Sequence, residues 1–211
     1  MNDLQLQFLT DWAEAKREKM LDGAHYFPHL EKGPIVHQFQ SFEGVGLEEE
    51  ICKLIQEAKR EVTIGTPYFI PGKKAFQSVK HALRRGVHIT IILPNMSDHF
   101  LIKEASYRYL RKLCPLGASI YHYHEGFYHA KVFIVDEKLC SIGTVNMDKR
   151  SFYFNHEMSC FFYDHEMVKK MIQMVKRDLL KSTKLNIEML DGRGSALWVK
   201  EWLAFLVSPF L

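Results

Sequence analysis

Residues 127–152, FYHAKVFIVDEKLCSIGTVNMDKRSF, hold two short apolar runs, VFIV and LCSI, on either side of the polar stretch DEK. Runs rich in Val, Ile and Phe and bounded by turn residues read as strands, so this stretch reads as a hairpin. Polar residues nevertheless stand where a core strand carries only apolar ones: His129, Lys131, Asp136, the pair Gly143–Thr144, and Asn146. Positions two apart on a strand share a face, so His129 and Lys131 project together, while Asp136 sits at the far end where the chain turns. The hairpin brings Asn146 back beside His129 and Lys131, and Gly143 permits close backbone approach. An imidazole, a fixed cation and an amide donor are what a phosphoryl site needs: a nucleophile for phosphorus and donors aimed at the developing charge. The bland alternative is a strand end with surface polar residues. The Gly-Thr-x-Asn at fixed spacing weighs against it, because such an end gains nothing from an amide beside a cation.

Around this stretch, helix and strand patterns alternate. Residues 3 to about 20 read as a helix with Leu4, Phe8 and Trp12 on one stripe and Asn2 or Asp3 as cap. FPHLEKGP breaks it, and a short strand is expected around Ile35–Gln38. GLEEEICKLIQEAKR has helical spacing at Ile51, Leu54, Ile55 and Ala58; EVTIGT is a strand; AFQSVKHALRRG is a helix closed by Gly86; VHITIIL is a buried strand. HFLIKEASYRYLRKL is a further helix, ASIYHYH, AKVFIVD, KLCSIGTVN and EMSCFFYD are strands, and a long helix follows Asp164 with Met167, Met171, Met174 and Val175 inward. The expected class is α/β: a mixed sheet covered by helices on both faces. Residues 1–32 form a terminal helix and linker outside the alternation, and 33–211 form the domain.

At 211 residues the chain can bury one good core. Its net charge of +3 suits an anionic substrate or a membrane surface. Cys52, Cys114, Cys140 and Cys160 form no C-x-x-C pair, which argues against a zinc site or a disulfide framework and for a reduced, intracellular chain. His122 and His124 share a strand face, as metal ligands sometimes do, but no Cys or carboxylate at ligand spacing accompanies them. No secretory signal pattern is visible at the N-terminus. No apolar run is long enough to span a bilayer; the tail ALWVKEWLAFLVSPFL is interrupted by Lys200, Glu201 and Pro209. Membrane contact is therefore expected to be peripheral. Trp198, Trp202, Leu203 and Leu206 read as capping a core, with an interfacial helix as the alternative.

The spacing H-x-K-x4-D, followed six residues on by G-T-x-N, resembles the signature of the phospholipase D superfamily and matches it at each fixed position. TPYFIP (66–71), LPNMSDH (93–99), GFYHAK (126–131), GTVNMDKRSF (143–152) and the closing LVSPFL resemble the C-terminal half of bacterial cardiolipin synthases. DLQLQFLTDW resembles the helix that ends that family's first catalytic half, and GPIVHQFQSFEGVG (33–46) departs from the family, which shows a Ser-Gly-Pro-like turn there.

The resemblance implies a phospholipase D-like fold and roles for named residues. His129 would be the nucleophile that forms a phosphohistidine, or the acid that protonates the leaving alcohol. Lys131 and Asn146 would hold the phosphate oxygens, with Thr144 assisting beside Gly143. Asp136 matches the motif's acid, and its offset from Lys131 suggests a fold-supporting ion pair or hydrogen bond. Glu157 falls where the family commonly places a carboxylate that orients the imidazole. Tyr68 and Phe69, in a loop read as exposed, are candidates for lipid contact. No metal or other cofactor is implied.

The implied reaction joins two phosphatidylglycerols into cardiolipin and glycerol, at the cytoplasmic side of the cell membrane. That chemistry takes two such motifs, one histidine attacking while the other protonates the leaving group. Here His81, His88, His122, His124, His156 and His165 all lack a lysine two residues on. The membrane hairpin those synthases carry at their N-terminus is also missing from the pattern. The expectation is a half-enzyme that needs a second half, in trans or by homodimerisation. The alternatives are a homodimeric phosphodiesterase or nuclease, disfavoured by the lack of a strongly basic groove, and an inactive truncated product.

Overall fold

The computed structural model describes residues 2–17, 19, 37–43, 46–96 and 102–191. In chain order its elements are α1 (Asn2–Lys16), β1 (His37–Glu43), α2 (Gly46–Glu57), β2 (Glu61–Gly65), β3 (Phe69–Ile70), α3 (Lys73–Arg84), β4 (His88–Pro94) and α4 (Ile102–Leu113). There follow β5 (Ser119–Tyr123), β6 (Val132–Val135), β7 (Leu139–Gly143), β8 (Met147–Asp148), α5 (Lys149–Tyr153), β9 (His156–Phe162), α6 (His165–Leu180), β10 (Ser182–Leu185) and α7 (Ile187–Asp191). Eight strands form one mixed sheet in the order β1-β9-β7-β6-β2-β4-β5-β10, and β3 pairs with β8 in a small parallel sheet.

The central strands β4 and β6 are buried on both faces, as strands covered by helices on either side must be. Strands β2, β4 and β5 run parallel and are joined through α3 and α4, whereas β6, β7 and β9 form an antiparallel meander ending on β1. Strand β4 is buried at every position after His88, which matches a sequence apolar throughout that span except at Thr90. Strand β6 sorts its side chains by parity. Phe133 and Val135 join the larger core under α2, α3 and α4, while Val132 and Ile134 join the core under α6. The inner face of α6 is Val168, Met171 and Val175, with Met167 and Met174 half-buried at its margins. Gly86 closes α3 at φ 86° with its N–H on the Leu83 carbonyl, a conformation that suits glycine.

Several boundaries differ from the sequence reading. Helix α1 ends at Lys16 because Arg17 turns left-handed at φ 55°. Helix α2 stops at Glu57, where the Arg85 guanidinium takes the carbonyls of Ile55, Gln56 and Ala58 that would otherwise be left open. The expected strand near Ile35 is β1, which begins at His37 and runs to Glu43 because it pairs along the whole of β9. Pairing of β3 with β8 carries Phe69 and Ile70 into the core at 0% and 1% exposure, so the loop expected to expose its aromatics does not. The elements β3, β8, α5, β10 and α7 were not expected at all. FPHLEKGP and the tail from residue 192 lie outside the described residues, as do residues 33–36 and 44–45 of the 33–46 stretch.

Candidate active site

The meander sets the site at one edge of the sheet. Val132 opposes Ile142 in the β6–β7 ladder, and Val132 opposes Gly65 at the end of β2. Continuing that register places Lys131 opposite Gly143 and His129 opposite Val145. The β3–β8 pair holds Met147 and Asp148 beside Phe69 and Ile70, so the Asn146 turn is tied to the same edge. Thr66 strengthens that tie: its hydroxyl donates to the Tyr68 carbonyl at 2.9 Å and accepts the Met147 N–H at 3.2 Å.

His129 is exposed, and Lys131 Nζ lies 2.8 Å from its Nε2 and 3.1 Å from its carbonyl oxygen. Phe127 stacks on the imidazole with ring centroids 5.4 Å apart and planes at 29°. The preceding residue, Tyr128, is buried against Gly65, where an added Cβ would come within 2.6 Å of the phenol oxygen. The imidazole is thus stacked on Phe127 and remains exposed.

Gly143 is where β7 meets β9. A Cβ there would stand 2.1 Å from the Met158 carbonyl and 2.8 Å from Ser159 Cα, so only glycine lets the two strands close. Thr144 then donates through its hydroxyl to Glu157 and accepts the Met158 N–H at 3.0 Å. Glu157 is buried, and its other oxygen accepts from Asn155 Nδ2 at 3.0 Å. Its hydrogen-bond partners among the described residues are thus Thr144 and Asn155 rather than the His129 ring.

Asn146 donates its backbone N–H to Ser151 Oγ at 3.2 Å, while the Ser151 N–H donates to Asp148 Oδ1 at 2.7 Å and Asp148 caps α5. Burial raises the Asp148 carboxyl above its usual range, against the Ser151 and Asn146 hydrogen bonds that favour the charge. Asn146 Oδ1 is buried without a hydrogen-bond partner among the described residues. An amide nitrogen carries two hydrogens, so one can serve Asp148 and leave the other for a ligand.

Asp136 lies elsewhere. Five residues of strand separate it from Lys131, about 16 Å at 3.3 Å per residue. Asp136 and Glu137 occupy φ 52° and 56°, with the Lys138 N–H on the Val135 carbonyl, which is the left-handed two-residue turn that fits a twisted hairpin. The Asp136 carboxylate accepts the N–H groups of Lys59, Arg60 and Glu61 at 2.8–2.9 Å. Burial works against its charge, but the three N–H donors and the Arg60 guanidinium outweigh that and hold the carboxyl below its usual range.

A cavity of about 390 Å³ opens beside the edge, lined by Thr144, His156, Glu157 and Met158 and closed on one side by Gln7, Asp11 and Glu14 of α1. His122 and His124 are elsewhere: His122 is buried edge-on to Tyr107, and His124 Nε2 lies 2.7 Å from Thr183 Oγ1. Tyr68 is half-buried and packs against the Ile70, Ile102 and Ala105 cluster. Thr66, Asp148, Ser151, Asn155 and Phe127 were missed by the sequence reading. Asp148 and Ser151, two and five residues beyond Asn146, offered a signal in the D-x-x-S spacing of a helix cap.

Comparison with known proteins follows the same lines. Residues 51–179 match the family described as "Cardiolipin synthase, PLD-like domain". The "Minor cardiolipin synthase ClsB" of Bacillus subtilis is 35% identical over 212 residues, covering 100% of this chain and 52% of that relative. A cardiolipin synthase of Staphylococcus aureus is also 35% identical, over 100% of this chain and 44% of its own. The chain thus spans about half the length of the curated relatives it matches. Among solved structures, phosphatidylserine synthase of Haemophilus influenzae superposes with a TM-score of 0.69 at 15% identity, over 83% of this chain and 48% of that one. Nuc of Salmonella typhimurium, a phospholipase D family member, gives 0.59 at 15% identity, over 71% of this chain and 99% of that one. The expected fold class and the resemblance read from the motifs are both borne out.

Proposed function

Taking as premise that the chain belongs to the family of phospholipase D-like cardiolipin synthase domains, we propose that it supplies one catalytic half of a phosphatidyltransferase acting on anionic phospholipid. The observation that carries this reading is Lys131 Nζ at 2.8 Å from His129 Nε2 on an open edge that also holds Asn146. A lysine ammonium has only donors, so in this contact Nε2 accepts, and when Lys131 turns to a bound phosphate the same lone pair is left facing phosphorus. That favours His129 as nucleophile over acid.

The reaction runs as two displacements. The Nε2 lone pair forms the N–P bond as the P–O bond to one glycerol breaks, and the departing alkoxide takes a proton from the histidine of a second H-x-K-x4-D half. The hydroxyl of another phosphatidylglycerol gives its proton to that histidine and attacks phosphorus, freeing His129 and yielding cardiolipin. Lys131 and the free amide hydrogen of Asn146 take the charge that gathers on the phosphoryl oxygens. Asp136 acts at a distance, by fixing the turn that sets β6 against β2. Glu157 orients the ring at one remove, by holding Thr144 and so the Gly143 turn.

The work is done at the cytoplasmic side of a membrane; among the described residues no helix is long and apolar enough to cross one. The second half comes from another chain or from the remainder of a longer one. A homodimer is the second reading, favoured by the match to 99% of the Nuc chain, where one such domain makes up a whole chain. Lipid extracts of cardiolipin-deficient cells test the proposal. Cells carrying this chain with the portion of the Bacillus subtilis relative that the match leaves uncovered should make cardiolipin, and His129→Ala should abolish it. Cardiolipin at equal levels in both would refute it.

A further inference from the structure

The solvent arc of α3 carries Lys73, Lys74, Gln77, Lys80, His81 and Arg84 and no acid. At 100° per residue these six positions fall within a sector of about 120°. The opposite arc, with Ala75, Val79 and Ala82, is wholly buried. Lys74 pairs with Glu49 of α2 at 2.9 Å, and Lys80 lies over the Phe76 ring at 5.7 Å. Among the described residues Lys73, Lys80 and Arg84 have no acidic partner. Beside the stripe, between α2 and α3, runs a groove of about 640 Å³ lined by Lys53, Gln56, Lys73, Gln77 and His81, with Glu49 on its α2 side paired to Lys74.

The direction of α3 gives the stripe its meaning. Strands β2 and β4 are parallel and α3 connects them, so its first turn lies at the edge where β2 ends opposite Val132. Lys73 and Lys74 therefore stand at the sheet edge that bears Lys131. From there the stripe extends about 18 Å, the length of twelve helical residues.

We propose that the basic face of α3 and its groove form an electrostatic docking surface for an anionic phospholipid bilayer. Docked this way, the His129 edge is held against the surface from which its substrate comes. The choice of ligand rests on the phosphatidyl-transfer reading above. Nucleic acid would meet the same charges, but no exposed aromatic stands among them to stack on a base.

Cosedimentation of the full chain with vesicles tests the proposal without turnover. The chain should bind phosphatidylcholine vesicles containing phosphatidylglycerol, fail to bind pure phosphatidylcholine, and weaken as salt rises. The triple variant K73Q/K80Q/R84Q should bind roughly a hundred-fold more weakly, since each cation at such a surface contributes about a factor of five. The triple variant K169Q/K170Q/K176Q, with the same charge change on the exposed side of α6, should lose less than about three-fold. His129→Ala should bind like the parent, so a failed transferase reading shows in turnover and a failed docking reading in sedimentation. Circular dichroism confirms that both triple variants fold. Equal losses in the two triple variants, no binding of the parent to phosphatidylglycerol vesicles, or tighter binding of duplex DNA through the same three residues would each overturn it.

Discussion

Lys131 Nζ stands 2.8 Å from Nε2 of His129, and the same ammonium reaches the His129 carbonyl at 3.1 Å. The lysine thus bridges ring and backbone of a residue two positions earlier, which their common strand face permits. The contact sets the lysine side chain against the Nε2 side of the ring.

Removing that cation should strike the chemical step. Lys131→Met is expected to lower kcat/KM by about 10²–10³-fold, the usual result of deleting one donor to developing charge. Lys131→Arg should recover part of the loss, because the charge stays while the contact shifts. Steady-state kinetics on phosphatidylglycerol vesicles measures both. An unchanged kcat in Lys131→Met would remove the lysine from the site.

Asp136 should govern stability rather than chemistry. Three backbone N–H donors and Arg60 hold its charged form in the fold, so Asp136→Ala should cost about 2–4 kcal/mol at neutral pH. The carboxyl is held below its ordinary value. Its contribution is therefore complete above about pH 4, where the unfolded chain's carboxyl is also charged, and is lost as pH falls through the folded value. Urea melts across pH should show parent and variant converging on the acid side. A gap that stays constant down to low pH would contradict the assignment.

Gly143→Ala should damage the strand pairing itself. Its Cβ would meet the Met158 carbonyl at 2.1 Å, and a backbone atom in a paired strand cannot swing aside. A loss of at least about 2 kcal/mol in thermal unfolding is expected, together with loss of turnover. Gly86→Ala, at an open turn where nothing lies within 4 Å, serves as the comparison and should cost only about 1 kcal/mol for its left-handed φ. Equal costs at the two positions would show that the close approach is not what constrains Gly143.

Much of this was legible in the sequence, and the rest was hidden for physical reasons. Strand β4 was readable because six consecutive buried residues leave a run apolar except at Thr90, and α3 because its buried and basic positions alternate at helical period. His129, Lys131 and Asn146 were readable because their spacing is itself chemical. Strands β3 and β8 were not, since two residues give no periodicity, and their pairing depends on a contact between positions 69 and 147. Strand β10, Ser182–Leu185, reads as polar because only one side of it pairs, at the sheet's edge. The Thr144 partner of Glu157 was unreadable because it reaches the carboxylate only once β7 and β9 are in register.

On this mechanism His129 carries the phosphoryl group. The direct measurement is a denaturing quench of the enzyme, complete with its second half, during turnover of phosphatidylglycerol labelled at phosphorus, followed by mapping of the label. An acid-labile, base-stable label is expected on the peptide that holds His129, and none in His129→Ala. Turnover that persists in His129→Ala, or a label found on another residue while His129 stays free, would contradict that mechanism.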